Sequence, residues 1–212
     1  MASDSYASDY FTGESAKSAA QFAGYATLLR SHGIDPSRLV TCDVGCAEGA
    51  IFASALRGAE AYGVDVSEHA VAACRAAFPE LARHLATVNL SDAQPTFDVD
   101  FDLITIFDVI EHLENFLPLK EFLQRHLKPA CHVVVTTPNA LSLLRLLRRP
   151  YNGDMDPTHV HLFTPYTLDF WLTRSGFKRV ALHTPFSFRP GVTGLHSRLG
   201  LGGQIVALYQ RQ

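Results

Sequence analysis

The chain has 212 residues, 47% of them hydrophobic and 18% charged, with 18 Lys and Arg against 21 Asp and Glu. That length and apolar content suit one domain with a substantial core, and they exclude a disordered chain or a small cysteine-stapled scaffold. The formal charge of −3 supplies no overall basic field for nucleic acid, although Arg145, Arg148 and Arg149 form a local basic cluster.

Residues 1–14 read as an irregular arm whose stretch MASDSYASDYF lacks the apolar core of a secretory signal. A helical pattern follows, with Phe22, Tyr25, Leu28 and Leu29 on one face and Gly33 and Pro36 as stops. Strands are predicted at Leu39–Val44 and Ala61–Val66. Between them a helix carries Ile51, Phe52, Ala55 and Leu56 on one stripe before Gly58. Ser67 reads as the N-cap of a helix burying Val71 and Cys74.

A third strand is predicted at Ala86–Leu90 and a stronger fourth at Phe101–Phe107, a run far too short to span a membrane. A helix over Leu117–Leu127 then ends at Lys128–Pro129, and a fifth strand follows at Cys131–Thr136. Residues 139–163 are the least regular part. Thr164 and Pro165 start a helix that buries Leu168, Trp171 and Leu172 and closes at Gly176. Two last strands are predicted at Arg179–Thr184 and Gln204–Tyr209.

This alternation predicts a single parallel-sheet α/β domain over 1–212 with helices on both faces. Ligands of such sheets bind at the carboxyl ends of strands, near the switch in strand order. Cys42, Cys46, Cys74 and Cys131 have neither C-x-x-C nor zinc-finger spacing, so reduced thiols in a cytoplasmic protein are expected.

The first strand runs into Asp43-Val44-Gly45-Cys46-Ala47-Glu48-Gly49, where small residues permit a sharp turn and close approach to a ligand. Asp65 lies 20 residues after Gly45, placed to accept hydrogen bonds from both hydroxyls of a ribose. Loop and acid together indicate a nucleoside ligand. The order D-x-G-x-A-x-G is not the G-x-G-x-x-G of a nicotinamide site, which disfavours an oxidoreductase.

This stretch resembles motif I of the class I S-adenosylmethionine-dependent methyltransferases. The resemblance continues through Gly63-Val64-Asp65-Val66-Ser67, Phe101-Asp102-Leu103-Ile104, Asp108-Val109-Ile110-Glu111-His112-Leu113, Leu127-Lys128-Pro129, Thr137-Pro138-Asn139 and Ser175-Gly176-Phe177. It is greatest to the branch containing ubiquinone-biosynthesis O-methyltransferases and bacterial glycan and natural-product methyltransferases. Ala47 departs from the family's usual glycine, and Cys131-His132 from its usual glycine pair.

The resemblance implies a doubly wound, Rossmann-like seven-stranded sheet, mostly parallel with the last strand antiparallel. It implies S-adenosylmethionine as cofactor, bound through Asp43, Gly45, Cys46, Ala47 and Gly49, with Asp65 on the ribose hydroxyls and Val66 against adenine. Asn89 and Leu90 match the adenine-edge position, and Phe107 would offer backbone groups to the methionyl end. Tyr10 and Phe11 either fold over the cofactor or simply pack. Cys46 reads as a small loop residue rather than a nucleophile.

Asp108, Glu111 and His112 are spaced i, i+3 and i+4, which on one helical turn places them on one side. Asp156-Pro157-Thr158-His159-Val160-His161 supplies further imidazoles. Two carboxylates with one or two histidines have the ligand chemistry for Mg²⁺, Mn²⁺, Fe²⁺ or Zn²⁺. The set resembles the metal site of small-RNA terminal 2′-O-methyltransferases, in which a distant histidine lies five residues before the Thr or Ser that starts the next helix. His159 meets that count against Thr164, and His161 does not. The resemblance therefore implies Asp108, Glu111, His112 and His159 as ligands. The alternatives are a metal-free polar network and a metal-free base at His112 or His159. Asp156 and His183 read as surface or capping residues.

An alcohol acceptor needs a base or metal to lose its proton, so the cluster points to O-methylation of a small hydroxylated acceptor such as a sugar or glycan, phenol or natural product. Residues 139–163, with Arg145, Arg148, Arg149, Tyr151 and Asn152, would cover the acceptor side. Their polar character is expected to suit a sugar or phenol better than a lipid, while the arginines read equally as a solvated face. A catalytically silent cofactor-binding partner protein and an RNA 2′-O-methyltransferase are the alternatives; charge and the lack of an added RNA-binding module argue against RNA.

Overall fold

A computed structural model describes residues 15–149, 156–185 and 200–212. The expected arm with Tyr10 and Phe11 lies outside the described residues, as do Tyr151 and Asn152. The first helix, α1, is Ser15–Ser31. Tyr25, Ala26 and Leu29 face inward and are almost fully buried. A Schellman motif closes it: Gly33, at φ 78°, donates to Arg30 O and Ile34 to Leu29 O, both at 3.0 Å.

Strands β1 (Val40–Val44) and β2 (Glu60–Asp65) follow, then helix α2 (Glu68–Ala77) and the short β3 (Leu85–Thr87). Ser67 caps α2 as predicted, accepting from Ala70 N at 3.2 Å. The predicted helix between β1 and β2 is instead a run of turns, with Phe52 N bonded to Gly49 O and Ser54 N to Ile51 O. Gly49 and Gly58 bracket it at φ 89° and 86°, and its backbone bonds span three residues or, from Leu56 N to Ile51 O, five, rather than the four of an α-helix. Its apolar spacing still works: Ile51, Phe52, Ala55 and Leu56 are all buried. β3 also ends earlier than expected, because Asn89 O accepts from Asp92 N and Ala93 N and turns the chain away.

Next come β4 (Phe101–Phe107), helix α3 (Leu117–His126), β5 (Leu127–Pro138), a single helical turn α4 (Leu143–Leu146) and helix α5 (Pro165–Arg174). The last strands are β6 (Phe177–His183) and β7 (Gln204–Arg211). Helix α3 has no side-chain N-cap, a loss of about 1 kcal/mol. Leu119, Phe122 and Leu123 are fully buried on it, each contributing about 1.5–3 kcal/mol, so packing decides its stability. Helix α5 has the predicted Thr164 cap, as a capping box with Thr167. Trp171 is only partly buried there, packed on Phe116 with ring centroids 5.3 Å apart.

The seven strands form one sheet in the order β3-β2-β1-β4-β5-β7-β6. Strands β3, β2, β1, β4 and β5 pair in parallel, and β7 is antiparallel to both β5 and β6. This is the doubly wound, mostly parallel sheet expected, with its last strand reversed. Alternate residues feed two apolar clusters. Ile104, Ile106, Val133 and Val135 pack with α3 and α5 on one face, and Leu103 and Val134 with α1 and α2 on the other. Strand order reverses between β1 and β4, so the ligand crevice lies beyond their carboxyl ends.

Candidate active site

At the end of β1, Gly45 N and Cys46 N both donate to Val64 O of β2, at 2.7 and 3.0 Å. This pins the glycine loop across the two strand ends. Gly45 has φ 84°, and a Cβ there would come within 2.3 Å of Val109 Cγ2, so no other residue fits. Ala47 also adopts positive φ, 45°, where glycine is usual in the resembled family. Its amide donates to Asp65 Oδ2 at 2.9 Å, and Ser67 N donates to Oδ1 at 2.8 Å. Asp65 is thus held by backbone donors from both loops, and burial pushes its carboxyl upward. Each oxygen keeps a lone pair for a further donor.

Asp43 is buried beneath this loop, accepting from Thr105 Oγ1 at 2.5 Å. Burial, opposed by that hydrogen bond and reinforced by the charge of Asp65, pushes its carboxyl up to about 8. An unfolded aspartate titrates near pH 4, so the native protein holds a proton that the unfolded chain releases. The stability from this group is full below about pH 4 and is lost as pH rises through about 8. Urea unfolding between pH 5 and 7 should therefore show stability falling with pH in the native protein more steeply than in Asp43→Asn, by up to about 1.4 kcal/mol per pH unit. Parallel profiles would contradict this.

Cys46 is buried, its Sγ filling the space beside Gly63. Val66 is half-buried. Asn89 is engaged locally, accepting from Ser91 N at 3.0 Å and donating to Asp92 Oδ2 at 2.8 Å, while Leu90 joins the apolar cluster. Phe107 stacks on Tyr25 of α1 with centroids 4.4 Å apart, so α1 covers the end of β4.

The acid–histidine group is only partly as the spacing implied. Residues 110–112 form a 3₁₀ turn, and Asp108 precedes it with φ 53°, which breaks the helical i, i+3 and i+4 relation. Asp108 instead accepts from Thr136 Oγ1 at 3.0 Å and from Gln204 Nε2 at 2.8 and 2.9 Å. Gln204 Oε1 in turn accepts from the Tyr25 hydroxyl at 3.2 Å. The structure does not bring Asp108 into the histidine group.

It does bring Glu111, His112 and His159 together, with one donor atom from each lying within 4.8 Å of the others. Glu111 is 1% exposed. Its Oε2 accepts from Thr137 Oγ1 at 2.9 Å, whereas Oε1 has no hydrogen-bond partner among the described residues and faces His159 Nε2 at 4.0 Å. Burial, with the nearby Asp108 charge, pushes the Glu111 carboxyl well above its ordinary value.

Thr158 Oγ1 donates to Asp156 Oδ1 at 2.5 Å and lies 2.9 Å from His112 Nδ1. A hydroxyl has one proton, so His112 is the donor in the second bond. Its Nε2 therefore carries the lone pair. Burial, then the neighbouring His159, holds the His112 imidazole below its ordinary pKa and hence neutral at pH 7. Asp156, expected as a capping residue, does cap, accepting from Thr158 N at 2.8 Å, and its Oδ2 also lies 3.8 Å from His159 Nε2.

Sequence reasoning missed Thr137, Thr158, Thr105 and Gln204 as partners of the site. Thr137 and Thr158 stood inside quoted motifs without a role. Gln204 carried no local signal, since it lies 96 positions from Asp108. The cover segment also differs from its polar reading. Arg145 Nη1 turns back to Ala140 O at 3.1 Å, while leucines between Leu141 and Leu147 are exposed.

Comparison with known proteins agrees with the fold. The family model for a methyltransferase domain matches residues 12–182. A Mesorhizobium loti S-adenosylmethionine-dependent methyltransferase superposes with TM-score 0.68 at 22% identity, over 90% of this chain and 100% of that one. Magnesium protoporphyrin IX methyltransferase from Synechocystis, solved with S-adenosylhomocysteine, gives 0.63 at 18% identity over 95% and 88%. A Thermotoga maritima protein described as a possible histamine N-methyltransferase gives 0.64 at 17% over 92% of each chain. At these identities the likeness speaks for the fold. No curated protein sequence matches significantly. The chain belongs to the methyltransferase-domain family, and its sheet order and glycine loop are those of the class I S-adenosylmethionine-dependent enzymes. Among the described residues, no helix is long and apolar enough to cross a membrane.

Proposed function

We propose that this chain moves the methyl group of S-adenosylmethionine to a hydroxyl oxygen of a small acceptor, a sugar or glycan, phenol or natural product. Glu111, His112 and His159 would hold a divalent cation beside it. The observation that carries this reading is the buried Glu111 Oε1, without a hydrogen-bond partner among the described residues, facing His159 Nε2 in a group that also brings in His112 after the carboxyl end of β4. Leaving a buried carboxylate oxygen without a partner costs free energy that a ligand would offset. One carboxylate and two imidazoles favour zinc or iron over magnesium. Such a cation would supply Lewis acidity, easing loss of the proton from a coordinated hydroxyl.

Gly45, Cys46, Ala47 and Gly49 would bring backbone against the cofactor, with Asp65 on its ribose, Val66, Asn89 and Leu90 around adenine, and Phe107 at the methionyl end. Asp43 would act through the loop above it. The acceptor oxygen forms its bond to the methyl carbon as the carbon–sulfur bond breaks, and S-adenosylhomocysteine leaves. Thr158 fixes the ring of His112, and Thr137 fixes Glu111, so neither ligand needs to reorganise. A metal-free second reading rests on the depressed pKa of His112, which keeps a neutral imidazole ready to accept the hydroxyl proton.

Calorimetric titration of the chelator-stripped protein with Zn²⁺ and Mn²⁺ tests the cation. One equivalent should bind, and Thr158→Val should weaken it about 10–100-fold. Absence of binding, with turnover indifferent to chelator, would leave the metal-free base.

A further inference from the structure

Beyond the crevice, the same rim of the sheet presents an apolar projection that the methyl-transfer reading does not use. Five of the seven residues from Leu141 to Leu147 are leucines, each 39–61% exposed. Their backbone is not loose. Leu143 N donates to Leu201 O at 2.8 Å, Leu146 N to Ser142 O at 3.0 Å and Leu147 N to Leu143 O at 2.9 Å. Asn139, fully buried, clamps the base of the turn by donating to Gly200 O and Gly202 O, both at 2.7 Å. Ser142, the residue of this run that is buried, caps it by accepting from Arg145 N at 3.3 Å. The fold thus fixes leucine side chains in water, an arrangement that water itself disfavours.

We propose that the turn after β5 seats the protein peripherally on an anionic lipid bilayer. Charge complementarity selects that occupant. Residues 141–149 contain three arginines and no acid, within a chain of net charge −3. Arg148 and Arg149, both exposed, directly follow the leucines. Leucines that enter the acyl boundary with arginines left at headgroup level form the pattern of an interfacial anchor. Shape points the same way. On this single hydrogen-bonded turn Leu143, Leu144, Leu146 and Leu147 share one side, and fluid lipid can cover that side without a complementary partner surface. The turn begins four residues after Thr137, which holds Glu111, so docking would set the acid–histidine end of the crevice toward the bilayer.

Co-sedimentation with phosphatidylcholine vesicles, with and without phosphatidylglycerol, tests this independently of any acceptor or metal. The protein should partition onto phosphatidylglycerol vesicles, release at high salt, and bind the neutral vesicles far less. Leu144→Glu with Leu147→Glu should reduce partitioning by about tenfold or more, while stabilisation by S-adenosylhomocysteine in thermal unfolding stays unchanged. Arg148→Glu with Arg149→Glu should abolish the preference for anionic lipid. Absence of vesicle binding, or equal binding by the leucine variant, would overturn the proposal. So would a dimer that the leucine variant converts to monomer without any vesicle binding, which would show that a second copy covers the turn.

Discussion

Replacing both His112 and His159 with alanine should slow methyl transfer by about 10²–10⁴-fold while S-adenosylhomocysteine still binds with native affinity. Neither ring is assigned a contact with the cofactor, and both gather with Glu111, each offering a donor atom within 4.8 Å of the others, His159 Nε2 lying 4.0 Å from Glu111 Oε1. Single-turnover rates and calorimetry on the same preparation would separate the two effects. A chelator should produce a comparable loss in the native enzyme if the histidines hold a cation, and none if they act as base. Native turnover by the double variant would refute both versions and leave orientation alone as the source of rate.

Asp65→Ala should weaken binding of S-adenosylhomocysteine by about tenfold or more, the equivalent of about 1.5–3 kcal/mol for hydrogen bonds to a charged acceptor. The substitution has a second cost, because Ala47 N and Ser67 N lose the acceptor that joins the glycine loop to the end of β2. Asp65→Asn keeps one oxygen for those amides and should recover more stability than affinity. Calorimetry on the folded fraction of each variant checks this. Unchanged affinity in Asp65→Ala would place the ribose elsewhere.

The sheet and the join between the Gly45 loop and Asp65 were largely legible because their signals are local. Apolar runs of strand length, the caps at Ser67 and Thr164, and the loop-to-acid spacing of Gly45 and Asp65 each lie within a few residues or one β-loop-β unit. What failed depended on backbone conformation that a pattern does not contain. Ile51, Phe52, Ala55 and Leu56 are buried as their spacing requires, yet on turns bonded over three or five residues rather than on an α-helix. Asp108 was grouped with Glu111 and His112 on the assumption of helical geometry, and its left-handed φ turns the carboxylate to Gln204 instead. Long-range partners were invisible for a different reason. Thr158 and Gln204 reach the site through tertiary contacts that no spacing rule encodes. The leucines after β5 were visible in the sequence, but their meaning required knowing that the fold leaves them outside.

Strand β7 sits between β5 and β6, and its first residue, Gln204, is also the brace for Asp108 and Tyr25. During synthesis, β6 must therefore wait without its neighbour until translation has passed Arg211, and β5 meanwhile offers a bare edge. Tyr209, Leu208, Ala207 and Val206 are essentially fully buried, so closing that gap also seals the core on both faces. Assembly of the sheet and bracing of the crevice's far wall thus become one late event. Until β7 has been made, β5 keeps an open edge while Asp108 and Tyr25 lack the Gln204 brace.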